Sequence, residues 1–345
     1  MSDGVGIPSG IGDLTPAFLS EALGHRVVDV TLTPVGTGQV ADSARIAFTW
    51  DPPDAGPPTL VAKVTSSSEV SRTIAGITRT YEIEVGFYSE LAPKIGVNAP
   101  KSHYAAHDPA TGAYCAILDD LAPCEQGDQM RGCSVDEAAL ALREIPELHA
   151  PGTDPQLQAL PWLRRREPAE AEFAAGYITS LLPGFFDRYA DRLDDDVVAM
   201  SERSVGAAVR TAAPDHTTIV HNDFRVDNLM FGGPRVWVLD WQTMAVADGV
   251  ADVSYFLGGS LQIDDRRKHE EALVHSYAED MSARGVPTGF DDCWTRYRRY
   301  AFSGLIMAIG ASMNVERTDR GDDMFIAMAN RAGRHVLDLG AEELL

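Results

Sequence analysis

The chain has 345 residues, past the length at which one hydrophobic core stops growing, so two lobes or domains are expected. Hydrophobic residues make up 45% and charged residues 23%, a balance that excludes disordered and low-complexity classes. Acidic residues number 51 against 29 basic ones, and the net charge of −22 argues against nucleic acid and membrane surfaces as partners.

The opening MSDGVGIPSGIG has neither a basic n-region nor an apolar h-region, so no signal peptide is expected. Thr15 is a helix N-cap with Pro16 at the first helical position, and Gly24 stops that helix. Val27–Leu32 reads as a strand, broken by Gly36-Thr37-Gly38-Gln39. After the break Ile46, Phe48 and Trp50 alternate with Arg45, Ala47 and Thr49, which is a second strand. Leu60–Val64 is a third, so this part is an antiparallel meander. Residues 72–92 switch to helical period, with Ile77, Tyr81, Tyr88 and Leu91 on one stripe and Pro93 as the stop. Tyr114–Leu118 is a further apolar strand.

These elements predict an N-lobe over 1–118, with a five-stranded sheet and the helix 72–92, a hinge at 119–123 and a helical C-lobe over 124–345. Helices are expected at 134–149, 168–190, 196–213, 265–284, 290–314 and 321–338. The longest uncharged stretch, Tyr300–Val315, is too short to span a bilayer and reads as a buried helix. One β island interrupts the helices: Leu229–Phe231 and Val236–Leu239, joined by Gly232-Gly233-Pro234, form a hairpin. The fold class is therefore α+β. Cys115, Cys124, Cys133 and Cys293 give no zinc spacing, and their scatter fits a reducing compartment, hence a cytoplasmic protein.

The island opens on His221-Asn222-Asp223-Phe224-Arg225-Val226-Asp227-Asn228, with Asp240 twelve residues beyond Asn228. H-x-D-x-x-x-x-N is the spacing of a kinase catalytic loop. Phosphoryl transfer needs an acceptor for the substrate hydroxyl proton, which Asp223 supplies. It also needs hard oxygen ligands for Mg²⁺, which Asn228 and Asp240 supply. His221 would hold the loop through hydrogen bonds. The same Asp and Asn residues are also ordinary turn formers ahead of a hairpin, and His221 also suits a buried core position.

Lysine is rare: the chain has only Lys63, Lys94, Lys101 and Lys268. Lys63 sits mid-strand between Ala62 and Val64, either on a sheet edge facing water or paired inside. The helix stripe carries Glu84 on its apolar face, and a buried carboxylate requires a partner. A strand lysine paired with a helix glutamate and with ATP phosphates is a kinase arrangement. Glu82 falls off the stripe. Gly36-Thr37-Gly38-Gln39-Val40-Ala41 fails as a dinucleotide fingerprint because a strand, not a helix, follows it. Strand, glycine turn, strand suits a loop folded over phosphates, with Gly36 and Gly38 allowing close backbone approach. Asp119 and Leu121, in the hinge, are taken as further nucleotide-binding positions. Walker A, G-x-S-x-G and H-E-x-x-H motifs do not occur.

On these residues the chain resembles the aminoglycoside phosphotransferase/choline kinase superfamily, which has a bilobal protein-kinase-like fold. HNDFRVDNLMF, VLDWQ and GVADVSYFLGGSL look most like bacterial phosphotransferase-family proteins related to ecdysteroid kinase-like enzymes. Glu84–Tyr88 and Leu148-His149-Ala150 add to the likeness, which spans roughly residues 30 to 340. The resemblance implies ATP and Mg²⁺ as cofactors, Asp223 as catalytic base, Asn228 and Asp240 as metal ligands, and Lys63 with Glu84 at the ATP phosphates. Asp252 matches an aspartate that steadies the loop. Most members carry Gly where Asn222 stands. Arg225 stands where Ser/Thr protein kinases place a phosphate-contacting lysine; it either contacts the γ-phosphate or pairs with Asp227. Trp241-Gln242 after Asp240, in place of Phe-Gly, argues against a protein kinase proper. The expected activity is transfer of the γ-phosphate of ATP to a hydroxyl of a small molecule, towards a cationic one if the acidic surface bears on it. The competing reading is a catalytically silent nucleotide- or ligand-binding kinase-like protein.

Overall fold

The computed structural model describes residues 6–36, 40–165, 168–210, 216–315 and 317–345. It is a bilobal α+β fold, with a small antiparallel β N-lobe and a larger, mostly helical C-lobe. Two compact units divide the chain: residues 1–94, 99–123 and 239–243 form one, and 95–98, 124–238 and 244–345 the other.

In the first unit, helix α1 (Pro16–Leu23) starts on Thr15, whose hydroxyl accepts from the Phe18 amide, and ends at Gly24, at φ +71°. Strands β1 (Arg26–Pro34), β2 (Ala41–Asp51) and β3 (Thr59–Thr65) follow as an antiparallel meander. Strands β4 (Ser102–Asp108) and β5 (Ala113–Asp119) complete a five-stranded sheet of order β1-β2-β3-β5-β4. Phe18, Leu19, Val27, Ile46, Leu60, Ala62, Val64 and Ile117 pack as its core. Strand β3 is interior, with Lys63 opposite Ser43 on one side and Ala116 on the other, so the sheet-edge reading of Lys63 falls.

The helix expected over 72–92 is interrupted. Helix α2 (Glu69–Thr78) ends at Arg79, which adopts φ +57°, and α3 (Thr80–Gly86) restarts before a π turn at Phe87–Leu91. The left-handed residue resets the helical phase. Ile77, expected on the buried stripe, is therefore 79% exposed, whereas Tyr81, Glu84, Tyr88 and Leu91 are buried. Glu82 turns outward onto the Arg79 guanidinium at 2.7 Å.

In the second unit, β6 (Glu125–Gln126) precedes α4 (Val135–Glu144), whose Ser134 and Glu137 form a capping box, and α5 (Pro146–His149). Pro146 divides the single helix expected over 134–149. After α6 (Pro155–Gln158) and β7 (Arg164–Arg165) come the long α7 (Pro168–Tyr189) and α8 (Asp195–Val209). Strands β8 (Thr218–Val220), β9 (Leu229–Phe231), β10 (Trp237–Val238) and β11 (Ala245–Ala247) surround the loop of interest. The hairpin forms, with Trp237 opposite Met230, and β6 adds a third strand to it. Then come α9 (Gly249–Ser260), α10 (Ile263–Ala283), α11 (Phe290–Arg299), α12 (Ser303–Asn314) and α13 (Asp319–Asp338). A 3-10 turn at Tyr300–Phe302 separates α11 from α12, so 290–314 is two helices, and α12 keeps Met307 at the surface. Helices α7, α8, α12 and α13 bury Phe185, Tyr189, Met200, Leu305, Ile309 and Phe325 in one core.

Candidate active site

Lys63 rises from β3 into a set of acids within the first unit. Its Nζ lies 2.6 Å from Glu84 Oε1 and 2.8 Å from Asp240 Oδ1. The second Glu84 oxygen accepts from the Tyr114 hydroxyl at 2.6 Å, and Asp240 Oδ2 accepts from Gln242 Nε2 at 2.9 Å. Burial opposes the ammonium charge, but Asp240 and Glu84 outweigh it and hold the Lys63 pKa above its ordinary value. Burial, reinforced by Glu84, raises the Tyr114 phenol, so it is a neutral donor. Tyr81 stacks on Tyr114 with ring centroids 4.5 Å apart, fixing the ring that fixes Glu84. Asp240 itself sits at φ +66°, a conformation that costs a non-glycine residue energy and collects at functional sites.

The other positions expected around a nucleotide stand as follows. Gly36 has φ +73°, as a glycine turn allows, and Gly38 lies outside the described residues. Asp119 ends β5 with its carboxylate on His103 Nε2 at 2.7 Å, and Leu121 is half-buried two residues on.

The second unit holds the loop. Asp252 of α9 accepts from the backbone amides of His221 at 2.7 Å and Asn222 at 2.9 Å. His149 Nε2 hydrogen-bonds the same carboxylate at 3.2 Å, and its Nδ1 meets the Tyr277 hydroxyl at 2.8 Å. His221 is fully buried and takes the Asp223 amide on Nδ1 at 3.3 Å. Asn222 adopts φ +64°, which asparagine tolerates better than most side chains.

Three donors converge on the Asp223 carboxylate. Asn228 Nδ2 donates to Oδ2 at 2.9 Å, Arg225 Nε donates to Oδ2 at 3.3 Å, and the Tyr255 hydroxyl donates to Oδ1 at 3.0 Å. Arg225 also pairs with Asp227, whose Oδ1 accepts from the Gln129 amide at 2.6 Å. Of the two readings of Arg225, the pairing with Asp227 is what the structure contains. Burial opposes the guanidinium charge, but Asp223 and Asp227 hold its pKa above the ordinary value. The Asn228 amide nitrogen is engaged on Asp223, which leaves Oδ1 as its ligand atom. Asn228 Oδ1 in the second unit and the Asp240 carboxylate in the first are each the kind of hard oxygen that magnesium prefers. Among the described residues no group of three or more His, Cys, Asp or Glu could hold a metal. Among them too, no helix is long and apolar enough to cross a membrane.

The family model for the phosphotransferase enzyme family (APH) matches residues 54–287. The chain belongs to that family. Membership carries ATP-dependent phosphotransferase chemistry, with ATP and Mg²⁺ as cofactors, and a small-molecule substrate in general terms. No curated protein matches the sequence. Among solved structures, choline kinase from Cryptosporidium parvum is similar at TM-score 0.59 and 9% identity, over 91% of this chain and 90% of that one. Choline kinase LicA from Streptococcus pneumoniae is similar at TM-score 0.52 and 14% identity, over 94% and 96%. Plasmodium vivax ethanolamine kinase gives TM-score 0.51 and 12% identity, over 98% and 90%. At these identities the three share the fold of the phosphotransferase.

Tyr114, Gln129, Gln242 and Tyr255 were not visible as site residues in the sequence. Tyr114, Gln129 and Tyr255 act through hydrogen bonds to residues distant in the chain, and Gln242 through one to Asp240 two residues before it; no spacing rule announces them. Only once 249–260 is seen to be a helix does Tyr255, three residues after Asp252, fall on the same side as that residue.

Proposed function

We propose that the chain transfers the γ-phosphate of ATP to a hydroxyl group of a small molecule. The observation that carries this reading is the placement of Lys63, one of four lysines in the chain, inside an interior strand between Glu84 and Asp240. Burying an ammonium between two carboxylates is costly for stability alone, and makes sense where one carboxylate is exchanged for phosphate oxygens.

In this reading Glu84 and Tyr114 hold Lys63, and Lys63 neutralises nucleotide phosphate charge. Asn228 Oδ1 and Asp240 would hold Mg²⁺, which when bound neutralises charge on the phosphate oxygens. Gly36 and Gly38, with the backbone at Asp119 and Leu121, line the nucleotide. Asp223 takes the proton of the acceptor hydroxyl as that oxygen bonds to the γ-phosphorus and the bond to the ADP oxygen breaks. Arg225 keeps the Asp223 carboxylate oriented, with its own second hand on Asp227.

The acceptor is a hydroxylated metabolite, and the net charge of −22 makes cationic alcohols the first to screen. Choline and ethanolamine kinases sharing the fold point the same way. The likeness of HNDFRVDNLMF and GVADVSYFLGGSL to ecdysteroid kinase-like proteins adds sterol alcohols as the second class. We place the protein in the cytoplasm, without nucleic acid or membrane as partner. A metabolite screen with γ-labelled ATP and Mg²⁺ tests the reading: label should move to one class of alcohol. Mg·ATP binding with no transfer to any acceptor or to water would instead support a catalytically silent binder.

A further inference from the structure

Helix α9 faces the catalytic loop with three residues at helical spacing. Asp252 accepts from the amides of His221 and Asn222. One turn on, the Tyr255 hydroxyl donates to Asp223 Oδ1 at 3.0 Å. Next to it Phe256 packs on Phe224 of the loop, with ring centroids 5.1 Å apart. Positions i, i+3 and i+4 share one helix face. So α9 holds the backbone of the loop, its apolar anchor and the carboxylate of Asp223 with a single face.

We infer that Tyr255 is a positioning residue for phosphoryl transfer, its phenol fixing the Asp223 carboxylate so that one acceptor site stays open to the substrate hydroxyl. The inference rests on the reading of Asp223 as the base. A carboxylate offers about four lone-pair sites. Tyr255, Arg225 and Asn228 occupy three from three directions, and the one remaining has a defined direction. Loss of one donor frees the carboxylate to rotate.

The residue choice also needs explaining. Tyr255 is 6% exposed on a helix whose neighbours Val253, Phe256 and Leu257 are buried, and its ring lies beside Gly304. Phenylalanine would fill this space without a polar atom to satisfy. A buried hydroxyl is tolerated where it makes a hydrogen bond, and here that bond goes to Asp223. Burial first, and Asp223 next, push the phenol well above its ordinary pKa, so Tyr255 is a donor at any working pH. It holds Asp223 without competing for the substrate proton.

The test is Tyr255→Phe in the full chain, beside Asp223→Asn and the double variant, with Mg·ATP and the acceptor returned by the screen, or water. Turnover number should fall roughly ten- to a hundredfold, the range for one hydrogen bond to a charged group. The KM and calorimetric Kd for Mg·ATP should stay within about twofold, because only orientation at the acceptor oxygen is lost. In the Asp223→Asn background the same change should add almost nothing. Crystals of Tyr255→Phe should show the Asp223 carboxylate in a new rotamer or several. Wild-type turnover in Tyr255→Phe, an equal penalty in both backgrounds, or an unmoved Asp223 carboxylate would each overturn the role. If Asp223→Asn itself retains full turnover, the reading of Asp223 as base falls instead, which is a separate result.

Discussion

Two sites in the molecule share one charge pattern, a cation between two carboxylates, but they are assembled differently. Lys63 stands between Glu84 and Asp240, which lie 21 and 177 residues away in the chain. Arg225 stands between Asp223 and Asp227, each two residues away. The first cluster exists only when sheet, helix and the segment at Asp240 have come together. The second can form within one loop, and its position is set afterwards by Asp252, Gln129 and Tyr255. The cations suit these roles. A lysine ammonium is a compact point charge that can pass from carboxylate to phosphate, whereas a planar guanidinium holds a fixed fork of bonds. In the proposed reading the first cluster serves exchange and the second orientation.

Breaking the long-range cluster should therefore have the larger effect on the whole molecule. Lys63→Ala leaves Glu84 buried without its counter-charge. It should lower stability by about 3 kcal/mol in denaturant titration and reduce ATP turnover by roughly a hundredfold or more, with the fold retained. The pH dependence of that loss has a definite sign. A lysine whose pKa is raised on folding adds stability that is complete below its unfolded value of about 10.4 and is lost as pH rises through the folded value. The lysine's own contribution to that gap should thus stay constant from about pH 6 to pH 9.

Smaller changes sharpen the same contrast. Tyr114→Phe removes the hydrogen bond to the other Glu84 oxygen and should cost about 2 kcal/mol while leaving turnover largely intact, as read by denaturation and steady-state kinetics. In the local cluster, Asn222→Gly should change stability by less than about 1 kcal/mol, since the φ of +64° suits glycine. Asn222→Val at the same site should be destabilising by about 1–2 kcal/mol.

Legibility in the sequence followed the same division. Asp223, Arg225, Asp227 and Asn228 lie within six residues, so their spacing could be read directly, although spacing leaves the partner of Arg225 open between the γ-phosphate and Asp227. Glu84 could be found only because Tyr81, Tyr88 and Leu91 share its helical stripe. Ile77 misled that stripe, because a left-handed Arg79 leaves no periodic signal ahead of it. Strand β4 was missed since all seven of its residues are half-buried and show no alternation. Helix α9 was missed for the opposite reason: eleven of its twelve residues are buried, so it has no polar face, and its three glycines weaken the local propensity. The Tyr255 hydroxyl contact was hidden with it.

The central claim is that Asp240 serves metal and nucleotide, whereas Asp223 serves the acceptor. Calorimetry of Mg·ATP binding to wild type, Asp240→Ala and Asp223→Asn, with turnover measured on the same samples, tests it directly. Asp240→Ala should lose binding and turnover together. Asp223→Asn should keep Mg·ATP affinity within about twofold and lose turnover by about a thousandfold. The account is contradicted if Asp223→Asn abolishes nucleotide binding while Asp240→Ala preserves it.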